Sequence, residues 1–350
     1  MHTTNRPSSP PPAAGSPPPP GLAARIAWEL HELGFAPLRA FPLLAMLGSV
    51  FRLRHDQDIE QFFAIGTRTT TPEPAALDPE WPRPWIFLRV FVLFVVVYLV
   101  FYTANQKFPN FSLWLGMLAI GSLSVPFSST VLMMELNAPR NVSLYRVLLV
   151  IVTGGFLSLV LTKSADSVPF ILHIGRHHTN IPLAGIVEES AKALALMVIL
   201  FNKRYPYTLN GMVFGAAVGT GFAVLETAGY ALFDGLTLHS TPSLCATLLN
   251  KTSLSVLGHV AWTTLVGGAL WHARRSLRFS LFAYFNWRFL SVLIAVTTLH
   301  TLWNGPLCSQ FPDVKYLLLG GAAWIAIIHM LQAGLNEVRS VRDQAHGERA

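Results

Sequence analysis

Five glutamate and histidine residues lie inside apolar segments of this sequence, where charged side chains are rare. The segments GIVEESAKALALM, GFAVLETAGY, GHVAWT and LHTLWN contain Glu188 and Glu189, Glu226, His259 and His300, respectively. An ionisable side chain in a membrane interior costs at least ~2.5 kcal/mol, so it needs a compensating role. Carboxylates and imidazoles are the groups that proteins use as general acids, general bases and metal ligands. The set therefore predicts a site of acid–base or metal chemistry.

Lys192 can support the two adjacent glutamates. It lies four residues after Glu188 and three after Glu189, and both spacings bring side chains together on one face of a helix. Its ammonium group can hold one carboxylate ionised. The two glutamates can then divide the roles of general base and orienting partner.

Each histidine has a polar neighbour one helical turn further along the chain. Thr263 lies four residues after His259, and Asn304 lies four residues after His300, so each pair can share a helix face and bind a water molecule or an oxyanion. Glu226, His259 and His300 are also a sufficient ligand set for zinc, although the sequence has no HExxH motif and the ligands come from separate segments. The sequence is consistent both with a metal-dependent site and with a site that works without metal.

The composition around these residues is that of a membrane protein. Apolar residues make up 52% of the 350 and charged residues 12%, against an average near 25% charged in soluble domains. Apolar stretches of about 18 to 24 residues recur, which is long enough to cross roughly 30 Å of hydrocarbon as a helix. Eight are predicted, over residues 84–103, 111–134, 144–162, 182–201, 211–234, 253–271, 288–305 and 315–333. We predict an all-α polytopic bundle of about eight transmembrane helices.

The basic residues of the loops orient this bundle. With eight spans, one side carries Arg83, Arg140, Lys203, Arg204, Arg274, Arg275, Arg278, Arg288, Arg339 and Arg342, and the other carries Lys107, Lys163, Arg176, Lys251 and Lys315. Cytoplasmic loops hold the excess of Lys and Arg, so both termini are predicted to be cytoplasmic. Each site residue then lies about five to eight residues, roughly 8 to 12 Å, below the outer surface. The four helices should place their polar groups in one layer.

Three further segments flank the transmembrane domain of residues 84–333. Residues 1–21 form a Pro-rich tail predicted to be disordered, residues 22–83 a cytoplasmic or interfacial segment, and residues 334–350 a cytoplasmic tail. The N-terminus lacks the pattern of a signal peptide, so we expect the tail to be retained. The basic residues lie between apolar runs rather than in one patch, which indicates a lipid bilayer and not nucleic acid as the partner.

Two smaller patterns concern the outer side and the packing. Cys245 and Cys308 are both predicted to be extracytoplasmic, Cys245 in the loop after the fifth span, where a disulfide or two free thiols are equally consistent with the sequence. Gly211, Gly215 and Gly219 repeat at four-residue intervals along the fifth span. Small residues at this spacing are typical of membrane helices in close contact.

Four motifs together resemble the successive signature motifs of PrsW-type intramembrane proteases. They are EESAK at 188–192, NGMVFGAAVGTGFAVLE at 210–226, GHVAWTTLVGG at 258–268 and LHTLWN at 299–304, and the resemblance covers residues 180–305. It implies a helical membrane fold related to CAAX prenyl proteases and bacterial Abi proteins. The catalytic residues implied by the motifs are Glu188, Glu189, Lys192, Glu226, His259 and His300. The chain departs from the family at Thr227, where an asparagine is frequent.

The resemblance implies an endopeptidase of the bacterial plasma membrane that cleaves membrane proteins near the extracytoplasmic surface. The expected substrate is a single-pass protein, with an anti-sigma factor as one candidate. Our mechanistic hypothesis is attack of water on a peptide carbonyl, with Glu188 or Glu189 as general base and His259 or His300 stabilising the oxyanion. In a zinc version, the two histidines and Glu226 become ligands.

Two other classes of function fit the same residues. Chains of Glu and His also form the proton relays of transporters, which need polar groups on both sides of the midplane. The inner halves of the fourth to seventh spans are almost wholly apolar apart from Lys192, which favours a one-sided cavity over a path through the membrane. The remaining alternative is a catalytically inactive membrane scaffold.

Overall fold

A computed structural model describes residues 21–38, 41–52, 54–171, 181–200, 204–276, 285–306 and 310–348. These residues form α1 (Leu22–Glu32), α2 (Leu43–Val50), α3 (Asp56–Ala64), a 3₁₀ turn (Pro74–Ala76), α4 (Ile86–Lys107), α5 (Phe111–Leu136), α6 (Leu144–Ile171), α7 (Ile181–Leu200), α8 (Thr208–Thr237), α9 (Thr241–Leu254), α10 (His259–Ser276), α11 (Trp287–Asn304) and α12 (Pro312–Gly347). The predicted all-α class is confirmed. The Pro-rich tail, apart from Gly21, and Cys308 lie outside the described residues.

Six segments in the described part of the chain are long and apolar enough to cross a membrane. They are Ile86–Lys107, Phe111–Leu136, Leu144–Ala165, Thr208–Thr237, Thr241–Arg274 and Pro312–Gly347. A multi-pass membrane protein is thereby confirmed, whereas the count of eight spans and the orientation of the termini stay predictions. The helices α7 and α11 are outside this set, and they are the helices that carry the EESAK and LHTLWN motifs.

The sixth predicted span, 253–271, contains a helix break. α9 ends at Leu254, a turn follows, and α10 begins at His259. Within the turn, the hydroxyl of Ser255 donates to the carbonyl oxygen of Thr252 at 2.6 Å, which satisfies a carbonyl at the end of α9. The predicted boundaries were therefore wrong here, because the apolar segment starts at Thr241 and consists of two helices.

Cys245 lies within α9, so its predicted position in a loop was wrong, whereas its extracytoplasmic side stays a prediction. Its side chain is buried in a small apolar cluster with Met117, Leu118 and Leu248. The predicted pairing of this cysteine involves Cys308, which is outside the described residues, and it stays a prediction.

α8 is the central helix of the bundle, and it is buried almost continuously from Thr208 to Ala223. Gly211, Gly215 and Gly219 lie directly against the backbone of α10, and Gly221 lies against the carbonyl of Ile151 in α6. The absence of side chains at these glycines lets two neighbouring helices approach α8 closely. The glycine row thus brings the start of α10 next to α8.

Two buried carboxylates cap helices at their N-termini. Glu135 of α5 accepts hydrogen bonds from the backbone N–H groups of residues 85–87 at 2.6 to 2.9 Å. Glu337 of α12 accepts from the backbone N–H of Thr208 at 3.1 Å, at the start of α8. The first N–H groups of a helix have no partner within the helix, so these carboxylates supply it and also complement the helix dipole.

The segment before the first apolar span folds into short helices against the end of the bundle. Leu22, Ile26 and Leu30 form an exposed apolar stripe on α1, while Glu32 is buried and forms an ion pair with Arg288 at the start of α11. The apolar stripe agrees with the interfacial location expected from the sequence. That location itself stays a prediction.

Candidate active site

Four helices bring the six predicted catalytic residues into one cluster. α7 contributes Glu188, Glu189 and Lys192, α8 contributes Glu226, α10 begins with His259, and α11 contributes His300 near its end. The spacing of the three α7 residues puts their side chains on one face, as expected. The other three come from separate helices, and each of them contacts a charged group of the cluster.

Glu189 is at the centre of the cluster and is fully buried. Its Oε1 atom accepts a hydrogen bond from Lys192 Nζ at 2.6 Å and another from His300 Nδ1 at 2.9 Å. Since the Nδ1–H of His300 donates to this carboxylate, the lone pair of His300 is on Nε2. Glu189 therefore fixes both the orientation and the tautomer of His300.

His259 is held in a similar way by Glu226. Its Nε2 atom lies 3.0 Å from Glu226 Oε2, and its Nδ1 atom lies 3.0 Å from Lys192 Nζ. An ammonium group can only donate, so Nδ1 accepts this bond and Nε2–H donates to the carboxylate. Each histidine thus has one ring nitrogen bonded to a glutamate and a lone pair on the other nitrogen.

Glu188 completes the inner face of the cluster. Its Oε2 atom lies 3.8 Å from both Lys192 Nζ and His300 Nε2, which is too long for a hydrogen bond. This buried oxygen has no hydrogen-bond partner among the residues that the structure describes. A buried carboxylate oxygen without a partner is costly, and it indicates a site for a proton or a cation.

The residues Glu188, His259 and His300 could hold a metal ion. Each offers one ligand atom, and these atoms all lie within 4.8 Å of one another. Metal-binding histidines usually donate their second ring N–H to a carboxylate, and Glu189 and Glu226 provide such partners here. The residues therefore fit a divalent ion. The sequence-based set joined Glu226 to the same histidines, whereas the structure places Glu188 with them and Glu226 behind His259.

Aromatic rings enclose the two histidines. The Trp262 ring lies 4.6 Å from the His300 ring, between centroids, and the Phe222 ring lies 5.2 Å from the His259 ring. These rings limit the access of water and strengthen the electrostatic interactions within the cluster. Sequence reasoning did not select Trp262 or Phe222, although both lie within the motifs, because aromatic residues in apolar segments are ordinary core residues.

A cavity of about 520 Å³ opens beside the cluster. Glu226, His259 and Asn304 lie on its wall, together with residues from the start of α12. Asn304, expected to give polar support to His300, is thus next to the space where a substrate can enter. Thr263, the expected partner of His259, donates its hydroxyl to the carbonyl oxygen of His259 at 2.7 Å and uses its donor within the helix.

Lys251 of α9 also lies on the cavity wall, and sequence reasoning did not select it for the site. Its ammonium group is 3.8 Å from Glu226 Oε1 and lies over the ring of Tyr230. No pattern in the sequence indicates this contact, because it depends on how α9 folds back along α8.

A half-buried Glu, His, His group with carboxylate partners, beside a cavity in a multi-pass helical bundle, is the arrangement of a membrane-embedded metallohydrolase. Residues 138–332 match the sequence profile of the PrsW family of intramembrane metalloproteases, and this protein belongs to that family. The match covers more than half of the chain and includes α6 to α11, so the family resemblance of the four motifs is confirmed. No curated protein and no solved structure matches the chain.

Proposed function

We propose that this protein is a metal-dependent endopeptidase that cleaves membrane proteins near the extracytoplasmic surface. The observation that supports this proposal most strongly is the convergence of Glu188, His259 and His300, which come from three motifs of a protease family and lie within reach of one ion. Zinc is the ion that best suits imidazole and carboxylate ligands in a site of low coordination number.

The ligands and their supporting residues have separate roles in this proposal. Glu188 Oε2, His259 Nδ1 and His300 Nε2 would hold the ion. When bound, it supplies the Lewis acidity that activates water and polarises a peptide carbonyl. Glu189 and Glu226 orient the two histidines through the bonds of 2.9 and 3.0 Å.

Glu226 is the general base in this mechanism. Its carboxylate lies on the cavity wall, and its Oε1 atom is not engaged by His259. It accepts a proton from the attacking water and returns it to the leaving amine as the C–N bond breaks. Glu189 was a candidate base from the sequence, but full burial and its bonds to Lys192 and His300 suit an orienting role.

The substrate is a segment of a membrane protein that unfolds into the cavity from the outer side. The cavity wall includes Trp303 and Asn304 at the end of α11 and Pro312 at the start of α12. The distribution of basic residues in the loops supports an extracytoplasmic location for this end of the bundle. A single-pass protein with an extracytoplasmic domain can present such a segment. An anti-sigma factor of the bacterial plasma membrane is the candidate that the family resemblance suggests.

Cleavage in cells tests the proposal. Tagged single-pass membrane proteins are expressed with the wild type or with Glu188→Gln, Glu226→Gln or His300→Ala, and Glu80→Gln serves as an exposed control outside the site. We expect a product with the wild type and the control, and none with the three site variants at equal protein levels.

The same cells distinguish the other classes of function. Proton or solute flux that depends on His300, without cleavage of any substrate, would identify a transporter instead. Products that persist in all three site variants would place the active site elsewhere.

A further inference from the structure

Lys192 lies beside two of the three ligand atoms of the candidate metal site, those of His259 and Glu188. Its Nζ atom is 3.0 Å from His259 Nδ1, 3.8 Å from Glu188 Oε2 and 2.6 Å from Glu189 Oε1. The side chain is fully buried, and the ammonium group also lies 4.4 Å from the centroid of the Phe222 ring. The ammonium group of Lys192 thus places a positive charge beside Glu188, Glu189 and His259, next to the candidate metal site.

The bond to His259 cannot coexist with a metal ion on the same nitrogen. Nδ1 has one lone pair, and Lys192 uses it, while the opposite nitrogen donates to Glu226. Neither nitrogen of His259 is therefore available to an ion in this arrangement. By contrast, His300 Nε2 and Glu188 Oε2 are 3.8 Å apart, a separation at which neither bonds the other, so both remain available.

We propose that Lys192 is a tethered cation that occupies the ligand face of the metal-free site and must release His259 before a divalent ion binds. This inference rests on the ligand set of the proposed function. It assigns to Lys192 a positioning role with two opposite effects. The ammonium group stabilises the metal-free protein by compensating the Glu188 and Glu189 carboxylates, and it weakens metal binding.

Both effects follow from charge. Removing one partner of a buried ion pair leaves the other charge uncompensated, which strongly destabilises a protein. A divalent ion in the candidate metal site would again neutralise the charge of the glutamates. In the wild type, however, the ion has to displace the Lys192 ammonium group, which repels it. A variant without this group should therefore depend on metal for its stability and bind metal more tightly.

The experiment measures zinc binding to the purified full-length protein in detergent. Wild type, Lys192→Met and Lys251→Met are titrated with chelator-buffered Zn²⁺, and thermal unfolding is recorded with and without the ion. Methionine keeps the length of the side chain without its charge. Lys251→Met is the matched control, because it removes a positive charge beside Glu226 but leaves His259 Nδ1 bonded to Lys192.

We expect Lys192→Met to bind Zn²⁺ more tightly than the wild type, by on the order of tenfold or more. Its metal-free form should unfold at a lower temperature than the wild type, and Zn²⁺ should raise its unfolding temperature by more. Lys251→Met should resemble the wild type in zinc affinity. Equal or weaker zinc binding by folded Lys192→Met overturns the inference.

Two further variants extend the experiment, one for the case in which Lys192→Met does not fold and one that tests the metal ligands. If Lys192→Met does not fold, Glu189→Gln combined with Lys192→Met removes both charges of the pair and retains the acceptor for His300. This double variant should bind Zn²⁺ more tightly than Glu189→Gln alone, and equal or weaker binding overturns the inference. His300→Ala tests the ligand set itself. Loss of zinc binding in His300→Ala without a gain in the Lys192 variants refutes only the inference, whereas unchanged binding in His300→Ala refutes the proposed metal site.

Discussion

Replacing Gly219 by alanine should displace the helix start that carries His259. A Cβ atom at this position would lie 2.6 Å from the carbonyl oxygen of His259, and real Cβ atoms essentially never approach below 3.0 Å. α8 and α10 must therefore separate by at least about 0.4 Å, and by about 0.8 Å to reach an ordinary contact of 3.4 Å. The clashing atom belongs to the backbone, so it cannot rotate away.

This separation would disturb both hydrogen bonds of His259, each of which is 3.0 Å long. Displacing a catalytic group by about 1 Å can cost on the order of 100-fold in rate. We expect Gly219→Ala to reduce cleavage by roughly 10- to 100-fold, because the separation of the helices, about 0.4 to 0.8 Å, is slightly smaller than 1 Å. Overpacking should also lower the free energy of unfolding by about 1–3 kcal/mol.

The assay is the rate of product formation at equal protein levels, together with thermal unfolding. Gly229→Ala is the matched control, since it lies on the same helix and its added Cβ would have no neighbour within 4 Å among the described residues. The control should cleave like the wild type and be at least as stable, because alanine favours the helix. Wild-type cleavage and stability in Gly219→Ala would refute the packing argument.

Three other perturbations test the rest of the site and the fold. Glu189→Ala should weaken zinc binding by about 10- to 100-fold through the loss of the His300 partner, and Glu189→Gln, which keeps an acceptor, should weaken it less. Glu135→Ala should lower the free energy of unfolding by about 3 kcal/mol, because three backbone N–H groups, two of them in buried hydrogen bonds, lose their acceptor. The folded protein should still cleave. Removal of metal with a chelator should abolish cleavage, and Zn²⁺ should restore it.

Each of these expectations has a result that contradicts it. Equal zinc affinities in Glu189→Ala and the wild type would mean that the carboxylate does not orient His300. Glu80→Ala, at an exposed position, is the control for Glu135→Ala, and equal unfolding of the two variants would contradict the capping role. Cleavage that survives complete removal of metal would favour a glutamate-only mechanism.

The sequence predicted the class of fold and the residues of the cluster for physical reasons that can be named. Long apolar segments have few folds available other than membrane helices, and the spacing of Glu188, Glu189 and Lys192 requires one helix face. The convergence of Glu226, His259 and His300 with them did not follow from spacing, since it depends on contacts between four helices. The motif resemblance supplied that expectation.

The ligand set and the helix break were beyond sequence reasoning for different reasons. The choice between Glu188 and Glu226 depends on side-chain directions, because both carboxylates are near a histidine and only Glu188 faces both. No proline lies at the helix break before His259, and a single glycine, Gly258, does not predict the end of a helix in a membrane segment. Hydropathy is nearly continuous across the break, so it reports one span where the chain forms two helices.

The helices α7 and α11 carry four of the six candidate site residues, namely Glu188, Glu189 and Lys192 on α7 and His300 on α11. Both helices were predicted as spans from the sequence, over 182–201 and 288–305, but neither is among the six candidate spans of the structure. α7 carries three charged residues, and α11 carries polar residues that include Arg288 and His300. Their side chains compensate one another across the helix interface, with Glu189 bonded to both Lys192 and His300. A helix of this kind is stable in a membrane only when its partners are present. Insertion and site assembly are therefore coupled, and variants such as His300→Ala must be compared at equal levels of folded protein.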